Sequence, residues 1–188
     1  MDLTISKEAK LPSKYGNFVI QAFKEGHKEH LVVRTPQLTK TPTIRIHSEC
    51  VTGDVFGSIK CDCGFQISKA LKFIKSQESG MIIYLRQEGR DIGLVNKINA
   101  YALQDEGHDT VEANRLLGFA EDERSYEVVD EIFKHYGIKE INLMSNNPRK
   151  LEGLKCVKVN RVPIQIEACD TNEGYLKTKK EKLGHLLK

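Results

Sequence analysis

From residue 65 onward, amphipathic helical patterns alternate with short apolar runs, and this alternation limits the fold more than any other feature of the sequence. The run Met81–Leu85 is short and apolar, as expected of a strand buried inside a sheet. A helix ending before Gly80 is predicted by apolar residues at positions i, i+3, i+4 and i+7, which are Ile67, Ala70, Leu71 and Ile74. Strands that alternate with helices are typical of the α/β class.

The same two patterns continue toward the C-terminus. Ile141–Met144 predicts another strand, and Pro148 suits the first position of a short helix. Gly137 is placed to end the longer helix before that strand. Two helices are predicted by the apolar stripes Leu94, Ile98, Tyr101 and Ala102, and Val128, Val129, Ile132, Phe133 and Tyr136.

The first 46 residues carry short strand patterns that follow one another without an intervening helix. Candidate strands separated by Pro36 and Pro42 are Phe18–Phe23, Leu31–Thr35 and Thr43–His47. Consecutive strands of this kind indicate a mixed sheet, with helices on its faces, rather than a purely parallel one. A length of 188 residues fits one domain, so we expect a single α/β domain over residues 1–188.

Composition excludes several classes of protein. The net charge of +3 is too small for a dedicated nucleic-acid binder, which is normally more basic. No apolar run approaches the ~20 residues of a membrane span, and the N-terminus lacks the apolar core of a signal peptide. We therefore expect a cytoplasmic protein with neither nucleic acid nor membrane as partner. Thiols stay reduced there, which favours metal binding or catalysis by clustered cysteines.

Three of the five cysteines, Cys50, Cys61 and Cys63, lie close together in a C-x10-C-x-C pattern. Three thiolates would hold a zinc ion and leave one coordination position open, as in catalytic zinc sites. The alternative is a structural zinc site, in a non-enzymatic binding module, with four protein ligands. Its fourth ligand would come from His47, Cys156 or Cys169.

A zinc nucleobase deaminase is a further alternative. His47, Ser48 and Glu49 fit the H-x-E motif, in which the glutamate transfers protons for the zinc site. Those enzymes also require P-C-x-x-C, whereas this chain has Lys60-Cys61-Asp62-Cys63, with no proline and one spacer too few. The deaminase interpretation is therefore disfavoured.

Three other polar segments each allow two interpretations. Residues 86–93, between a predicted strand and helix, have the glycines and arginines of a phosphate-binding loop, or form a solvated charged turn. Residues 122–124 form an Asp-Glu-Arg run that is functional or merely solvated. Residues 145–150 either bind an anion at a helix start or form an ordinary helix N-terminus.

Taken together, these segments resemble the GTP cyclohydrolase II family, whose members open the purine ring of GTP at the first step of riboflavin synthesis. The resemblance runs from about residue 8 to the C-terminus and is to the stand-alone form, without a fused dihydroxybutanone-phosphate synthase half. Its matching segments are Arg45–Cys50, Thr52–Asp54, Cys61–Gly64, Arg86–Arg90, Asn96–Ile98, Tyr101–Gln104, Asp109–Asn114 and Ser145–Pro148.

The resemblance implies zinc-dependent hydrolysis of GTP to formate, pyrophosphate and 2,5-diamino-6-hydroxy-4-(5-phosphoribosylamino)pyrimidine by a homodimer. Zinc would be bound by Cys50, Cys61 and Cys63, and Mg²⁺ would accompany the triphosphate. Ser145 stands where the family usually has threonine, and it keeps the hydroxyl. The residues implied to contact GTP are Arg45, Ile46, His47, Ser48, Glu49, Gln66, Glu88, Gly89, Arg90, Thr110, Ser145 and Lys150.

The resemblance also implies catalytic roles for Tyr101, for Asp122 as proton acceptor and for Arg124 as nucleophile. A guanidinium has a pKa above ~12 and must lose a proton before it attacks a phosphate. Arg124 is therefore either a covalent nucleophile or a cation that stabilises charge on the phosphates. Four C-terminal leucines belong to the core or to a dimer interface: Leu176, Leu183, Leu186 and Leu187.

Overall fold

The computed structural model describes residues 2–120, 122–164, 177, 180–181 and 184–186 of the chain. Cys169 and the leucines at 176, 183 and 187 lie outside these residues, so the predictions made for them stay predictions. Among the described residues, no helix combines the length and apolarity that crossing a bilayer requires.

One mixed sheet contains the described strands, and this confirms the predicted α/β class. The strand order is β1-β3-β4-β6-β5-β7-β8, and β2 also pairs with β3. Pairs along β1 to β6 are antiparallel, whereas β6, β5, β7 and β8 run parallel. The strands are β1 (Thr4–Ile5), β2 (Ala9–Ser13), β3 (Gly16–Glu25), β4 (Lys28–Arg34), β5 (Thr43–Ser48), β6 (Gly80–Leu85), β7 (Glu140–Met144) and β8 (Lys158–Val162).

The described helices begin and end where local chemistry requires. Gly137, with φ +66°, ends α5 in the left-handed conformation that glycine adopts without strain. Asp109 and Glu112 form a capping box at the start of α4, and Pro148 opens α6. A 3-10 turn covers Glu88–Asp91. The helices are α1 (Val51–Asp54), α2 (Cys63–Ser76), α3 (Leu94–Asp105), α4 (Thr110–Leu116), α5 (Glu127–Tyr136) and α6 (Pro148–Glu152).

The core has two apolar clusters, because alternate residues of the central strands point to opposite faces of the sheet. Ile83 of β6 packs in the cluster that α5 covers with Val129 and Phe133. Its neighbour Ile82 packs in the cluster that α2 covers with Ile74. Helices therefore lie on both faces, as predicted.

The parallel part of the sheet decides where a ligand can bind. The carboxyl ends of β5, β6, β7 and β8 meet at one edge of the sheet. Open α/β sheets bind ligands at this edge. The residues that follow these strands include Glu49, Arg86 and Ser145, which belong to the polar segments singled out in the sequence.

Candidate active site

A cleft opens at the carboxyl edge of the parallel strands, and it collects most of the predicted site residues. It is lined by the three predicted zinc ligands, by Tyr101 and Arg124, and by every predicted GTP contact except Ile46. The Ile46 side chain packs in the core, and its backbone oxygen accepts a hydrogen bond from Lys150 Nζ at 2.9 Å. Asp122 also stays outside the lining and contacts the cleft through Arg124.

The three cysteine sulfurs form one compact cluster. The Sγ atoms of Cys50, Cys61 and Cys63 lie within 4.8 Å of one another, and Cys50 and Cys61 are buried. Gly53 closes over them: a Cβ there would stand 3.0 Å from Cys61 Sγ and 3.3 Å from Cys50 Sγ. A Cβ at Gly64 would stand 2.3 Å from the Gly53 carbonyl oxygen. This pair of glycines therefore brings the starts of α1 and α2 together around the sulfurs.

The donor set fits a zinc ion with three protein ligands. Thiolate sulfur is a preferred zinc ligand, and within the described part of the chain the metal-capable group consists of these three cysteines. His47 is not part of this group, and its Nε2 lies 3.0 Å from Asp54 Oδ1. The Cys156 sulfur lies 3.6 Å from the Asp130 carbonyl oxygen. Two of the three candidate fourth ligands are thus bonded outside the cluster, which favours an open coordination position.

The thiols share their protons unequally, and a buried lysine takes part. Hydrogen bonds from Cys61 and Cys63, with help from Lys97, hold the pKa of Cys50 well below its ordinary range. The bond to Cys50 raises the pKa of Cys61 to about 11. Burial would lower the pKa of Lys97, but its bonds to Glu88 and Cys50 outweigh burial and raise it. The Lys97 ammonium thus lies 3.1 Å from the Cys50 sulfur.

His47 belongs to a buried network beside the cysteines. Asp54 accepts hydrogen bonds from the Tyr84 hydroxyl at 2.9 Å and from the Cys50 backbone N–H at 3.0 Å. Burial lowers the pKa of His47, so the ring is neutral. Because a carboxylate only accepts, the ring proton belongs on Nε2, which faces Asp54. Nδ1 is then an acceptor, and it has no partner among the described residues.

A chain of hydrogen bonds fixes the other wall of the cleft. Arg45 donates to the Met144 carbonyl oxygen at 2.9 Å and also to the Gln66 side-chain oxygen. Gln66 in turn donates to Asp62 at 2.5 Å. Strand β5, strand β7 and helix α2 are thereby joined behind the cysteines, which gives Arg45 and Gln66 fixed positions.

The turn after β6 has an unusual backbone. Gly89, Arg90 and Asp91 have φ values of +61°, +62° and +76°, and left-handed conformations are costly for residues other than glycine. Lys28 holds the turn from β4 through an ion pair with Asp91 at 2.5 Å. The Arg90 carbonyl oxygen accepts the Glu123 backbone N–H at 3.2 Å. Such enforced strain is common at functional sites, and it favours the phosphate-loop interpretation over a solvated turn.

Asp122 and Arg124 form a bidentate ion pair at the rim of the cleft. Arg124 Nε and Nη2 donate to the two carboxylate oxygens at 2.7 and 2.6 Å. Arg149 adds a third contact at 3.0 Å. Arg124 and Lys150 both lie against the Tyr126 ring, 6.0 and 5.7 Å from its centroid. The charge run is therefore part of a cationic cluster, and the solvated interpretation is wrong for Asp122 and Arg124.

Tyr101 reaches the cysteine cluster through Thr52. The Tyr101 hydroxyl and Thr52 Oγ1 share a hydrogen bond of 3.2 Å, and Thr52 Oγ1 lies 3.6 Å from Cys50 Sγ. Burial raises the pKa of Tyr101, so its hydroxyl keeps the proton at neutral pH.

Several residues of the cleft were given no individual role from the sequence. Helical spacing gave one signal, because Lys97 precedes Tyr101 by four residues and so lies on the same face of α3. No such signal marked His185, which lines the cleft although it lies far in sequence from the other lining residues. The lining residues that were given no role of their own from the sequence are Lys60, Asp62, Ile92, Lys97, Ala100, Gln104, Asn114, Asn146, Asn147, Ile164 and His185.

The sequence profile of GTP cyclohydrolase II matches residues 4–163. The chain belongs to the GTP cyclohydrolase II family. This confirms the predicted family and, with it, the predicted class of enzyme, a GTP hydrolase of riboflavin biosynthesis. Membership of this family overrules the structural zinc module and the nucleobase deaminase.

Relatives in the GTP cyclohydrolase II family match the chain over nearly its whole length. The GTP cyclohydrolase-2 of Campylobacter hominis is 60% identical over 188 residues, which are 100% of this chain and 97% of that protein. The Helicobacter hepaticus enzyme of the same name is 58% identical, with all of both chains covered. One solved structure, RibBX, a two-domain 3,4-dihydroxy-2-butanone 4-phosphate synthase from A. baumannii, aligns with 87% of this chain and 40% of its own. Its 15% identity and TM-score of 0.43 do not establish a shared fold.

Proposed function

We propose that this protein opens the imidazole ring of GTP, bound as its magnesium complex, at a zinc ion held by Cys50, Cys61 and Cys63. The observation that carries the proposal is the sulfur cluster itself, placed within 4.8 Å inside a cleft lined by nucleotide-binding candidates. When bound there, zinc supplies a Lewis acid that activates water for attack at C8 of guanine. The products are formate, pyrophosphate and the diaminopyrimidine nucleotide.

The protein orients the base through the residues around the cysteines. Arg45 and Gln66 are fixed by their own hydrogen bonds, so their positions are set before the base binds. His47 Nδ1 is a buried acceptor with no partner in the described residues, and it suits an N–H of guanine. An unpartnered acceptor there would disfavour ligands that lack such a donor.

The triphosphate belongs at the cationic end of the cleft. Arg124 and Lys150 meet at the Tyr126 ring, and Arg90 lines the same cleft. Guanidinium groups bind phosphate oxygens with two parallel hydrogen bonds. These cations would hold the triphosphate and stabilise the charge that develops on the departing pyrophosphate.

Tyr101 is the candidate for handling a proton near the reacting carbon. Its hydroxyl is joined to Thr52, which touches the Cys50 sulfur. Because burial raises its pKa, Tyr101 acts as a hydrogen-bond donor and proton donor rather than as a base.

We also infer a cytoplasmic homodimer. The cysteines at 50, 61, 63 and 156 are free thiols, as expected in a reducing compartment. Large apolar side chains are exposed on two segments, the connection after α1 and the start of α3. Phe56 is 79% and Val95 75% exposed. Exposed apolar side chains grouped in this way are typical of protein–protein contacts.

The test of the proposed function is to incubate zinc-loaded protein with GTP and Mg²⁺ and to assay formate and pyrophosphate together. We expect both products from the wild-type protein, together with a diaminopyrimidine identified by mass spectrometry. Zinc-loaded protein that releases neither product would contradict the proposal. Ammonia and xanthosine triphosphate in place of formate would indicate a deaminase.

A further inference from the structure

A buried ammonium group lies directly against the cysteine cluster. Lys97 of α3 is 8% exposed, its Nζ is 3.1 Å from Cys50 Sγ, and it is 2.7 Å from Glu88 Oε1. Lysine is rarely buried unless its charge is paired. Glu88 provides that pairing, so the additional contact with sulfur calls for an explanation of its own.

We propose that Lys97 is a positioning residue that balances the charge of the three-thiolate centre and tunes the Cys50 sulfur as a metal ligand. The inference rests on the proposed zinc site. Three thiolates carry three negative charges and zinc carries two positive ones, so the bound centre would have a net charge of −1. A buried negative centre is costly in free energy without a nearby cation, and Lys97 places one at hydrogen-bond distance from Cys50 Sγ. The Glu88 carboxylate on the same ammonium also accepts the Gly89 and Val51 backbone N–H groups, which share its charge.

The hydrogen bond from Lys97 also changes how much electron density the Cys50 sulfur donates to a metal ion. An N–H donor draws electron density from a thiolate, so the sulfur gives less charge to a metal ion. Groups that contact metal ligands commonly tune affinity and acidity in this way. Three thiolates make a zinc ion a poor Lewis acid, and withdrawal of charge from Cys50 offsets part of that effect.

Glu88 fixes the ammonium in place. Its Oε1 accepts from Lys97 and from the Gly89 backbone N–H at 2.9 Å. Its Oε2 accepts the Val51 backbone N–H at 2.7 Å, one residue after Cys50. Lys97 and Glu88 thereby join α3, the strained turn after β6 and the start of α1. The position of the ammonium relative to Cys50 is thus set by three parts of the fold.

A purely structural role predicts a different result from replacement. If Lys97 only filled space and paired with Glu88, removing both charges would leave the sulfurs unaffected. The double variant Lys97→Met/Glu88→Gln tests this structural role. It removes both charges together, so no unpaired carboxylate stays buried at position 88. Lys97→Arg keeps the positive charge. Lys134 is the control, because its ammonium also pairs with a glutamate, Glu131, at 2.7 Å and does not line the cleft.

The experiment replaces zinc with Co²⁺ and records the sulfur-to-cobalt charge-transfer absorption, alongside Zn²⁺ affinity by competition with a chromophoric chelator. A more electron-rich thiolate transfers charge at lower energy. We therefore expect the band of Lys97→Met and of the double variant to move to longer wavelength, and Zn²⁺ affinity to fall by about tenfold. Lys97→Arg should restore most of both values, and Lys134→Met should match the wild type.

Three outcomes separate the possibilities. The expected shift of the band and loss of affinity in the double variant support the proposal. The single variant Lys97→Met should show the same changes where it is stable enough to measure. An unchanged band and an affinity within twofold of wild type in the double variant overturn the role of Lys97 and leave the proposed function intact. Wild-type protein that binds neither Co²⁺ nor Zn²⁺ overturns both.

Discussion

At the scale of single residues, the pairing of Asp122 with Arg124 bears on how pyrophosphate leaves. Burial alone would raise the pKa of Asp122, but the hydrogen bonds and charge of Arg124 outweigh burial and lower it. A carboxylate with a lowered pKa is a weaker base. It is therefore poorly suited to take a proton from a guanidinium whose own pKa exceeds ~12. The ion pair supports charge stabilisation by Arg124 rather than nucleophilic attack.

Arg124→Lys should lose most pyrophosphate release, by about 100-fold or more, because one ammonium cannot keep the bidentate pair with Asp122 and also offer donors to a developing phosphate charge. The measurement is the rate of pyrophosphate release at saturating GTP. Arg149→Lys is the matched comparison: its side chain is 52% exposed and contacts the same carboxylate from outside the cleft. We expect a loss of less than tenfold there.

The covalent alternative has its own signature. Under single-turnover conditions, a guanylylated protein with the adduct mapped to Arg124 would contradict charge stabilisation. Repeated absence of an adduct, in reactions that release pyrophosphate, agrees with it.

At the scale of secondary-structure elements, two glycines decide whether the cysteines can gather. A Cβ at Gly64 would meet the Gly53 backbone at 2.3 Å, and backbone cannot move aside as a flexible side chain does. Helices α1 and α2 must then separate, and the sulfurs they carry must separate with them.

Gly64→Ala should therefore lower the free energy of unfolding by about 1–3 kcal/mol, as overpacked positions do, and should reduce the zinc content. The measurements are urea unfolding of metal-free protein and zinc per chain after loading. Gly26→Ala is the control, because Gly26 has a positive φ of +57° and open space around it. It should cost about 1 kcal/mol through the backbone alone and retain zinc. A Gly64→Ala protein with full zinc and wild-type stability would contradict this account.

Elements with strong periodicity could be predicted from the sequence, and those with weak periodicity could not. The apolar stripes of α2, α3 and α5 and the apolar runs of β6 and β7 were found because burial imposes their pattern. Strands β1 and β2 were missed because their residues are largely exposed on an edge of the sheet and show no buried face. Helices α1 and α4 are too short for a stripe to emerge, and β8 was missed as well.

The candidate site divides in the same way. Cys50, Cys61 and Cys63 could be grouped because they lie near one another in sequence. The contact of Lys97 with Cys50 spans 47 residues, and that of Lys150 with Ile46 spans 104. Contacts between residues so far apart in the sequence depend on the order of strands in the sheet. The placement of β6 between β4 and β5 is not encoded in any local sequence pattern.

At the scale of the whole molecule, exposed apolar residues near the cleft predict self-association. The connection after α1 is held against α3 by Lys60 and Asp105, whose charged groups are 2.5 Å apart. The exposed side chains on these two segments include Val55, Phe56, Ile59, Leu94, Val95 and Ile98.

Sedimentation equilibrium should give a dimer mass for the wild-type protein. Phe56→Asp and Val95→Asp should each shift the equilibrium toward monomer, because a charge at the centre of an apolar interface is desolvated without a partner. Ile5→Asp, on the edge strand β1 and 37% exposed in the wild type, is the control and should stay dimeric. A monomeric wild type at micromolar concentration would contradict this prediction.

The central claim is that the three-cysteine centre opens the guanine ring. It is tested most directly by formate release from zinc-loaded wild-type protein and from Cys61→Ser, with zinc content and thermal unfolding measured on the same samples. We expect one zinc per chain and equal amounts of formate and pyrophosphate from the wild type. Cys61→Ser should remain folded, lose zinc and release formate at least about 100-fold more slowly, because three-ligand sites tolerate the loss of a thiolate poorly. Formate release by Cys61→Ser at the wild-type rate would contradict the account.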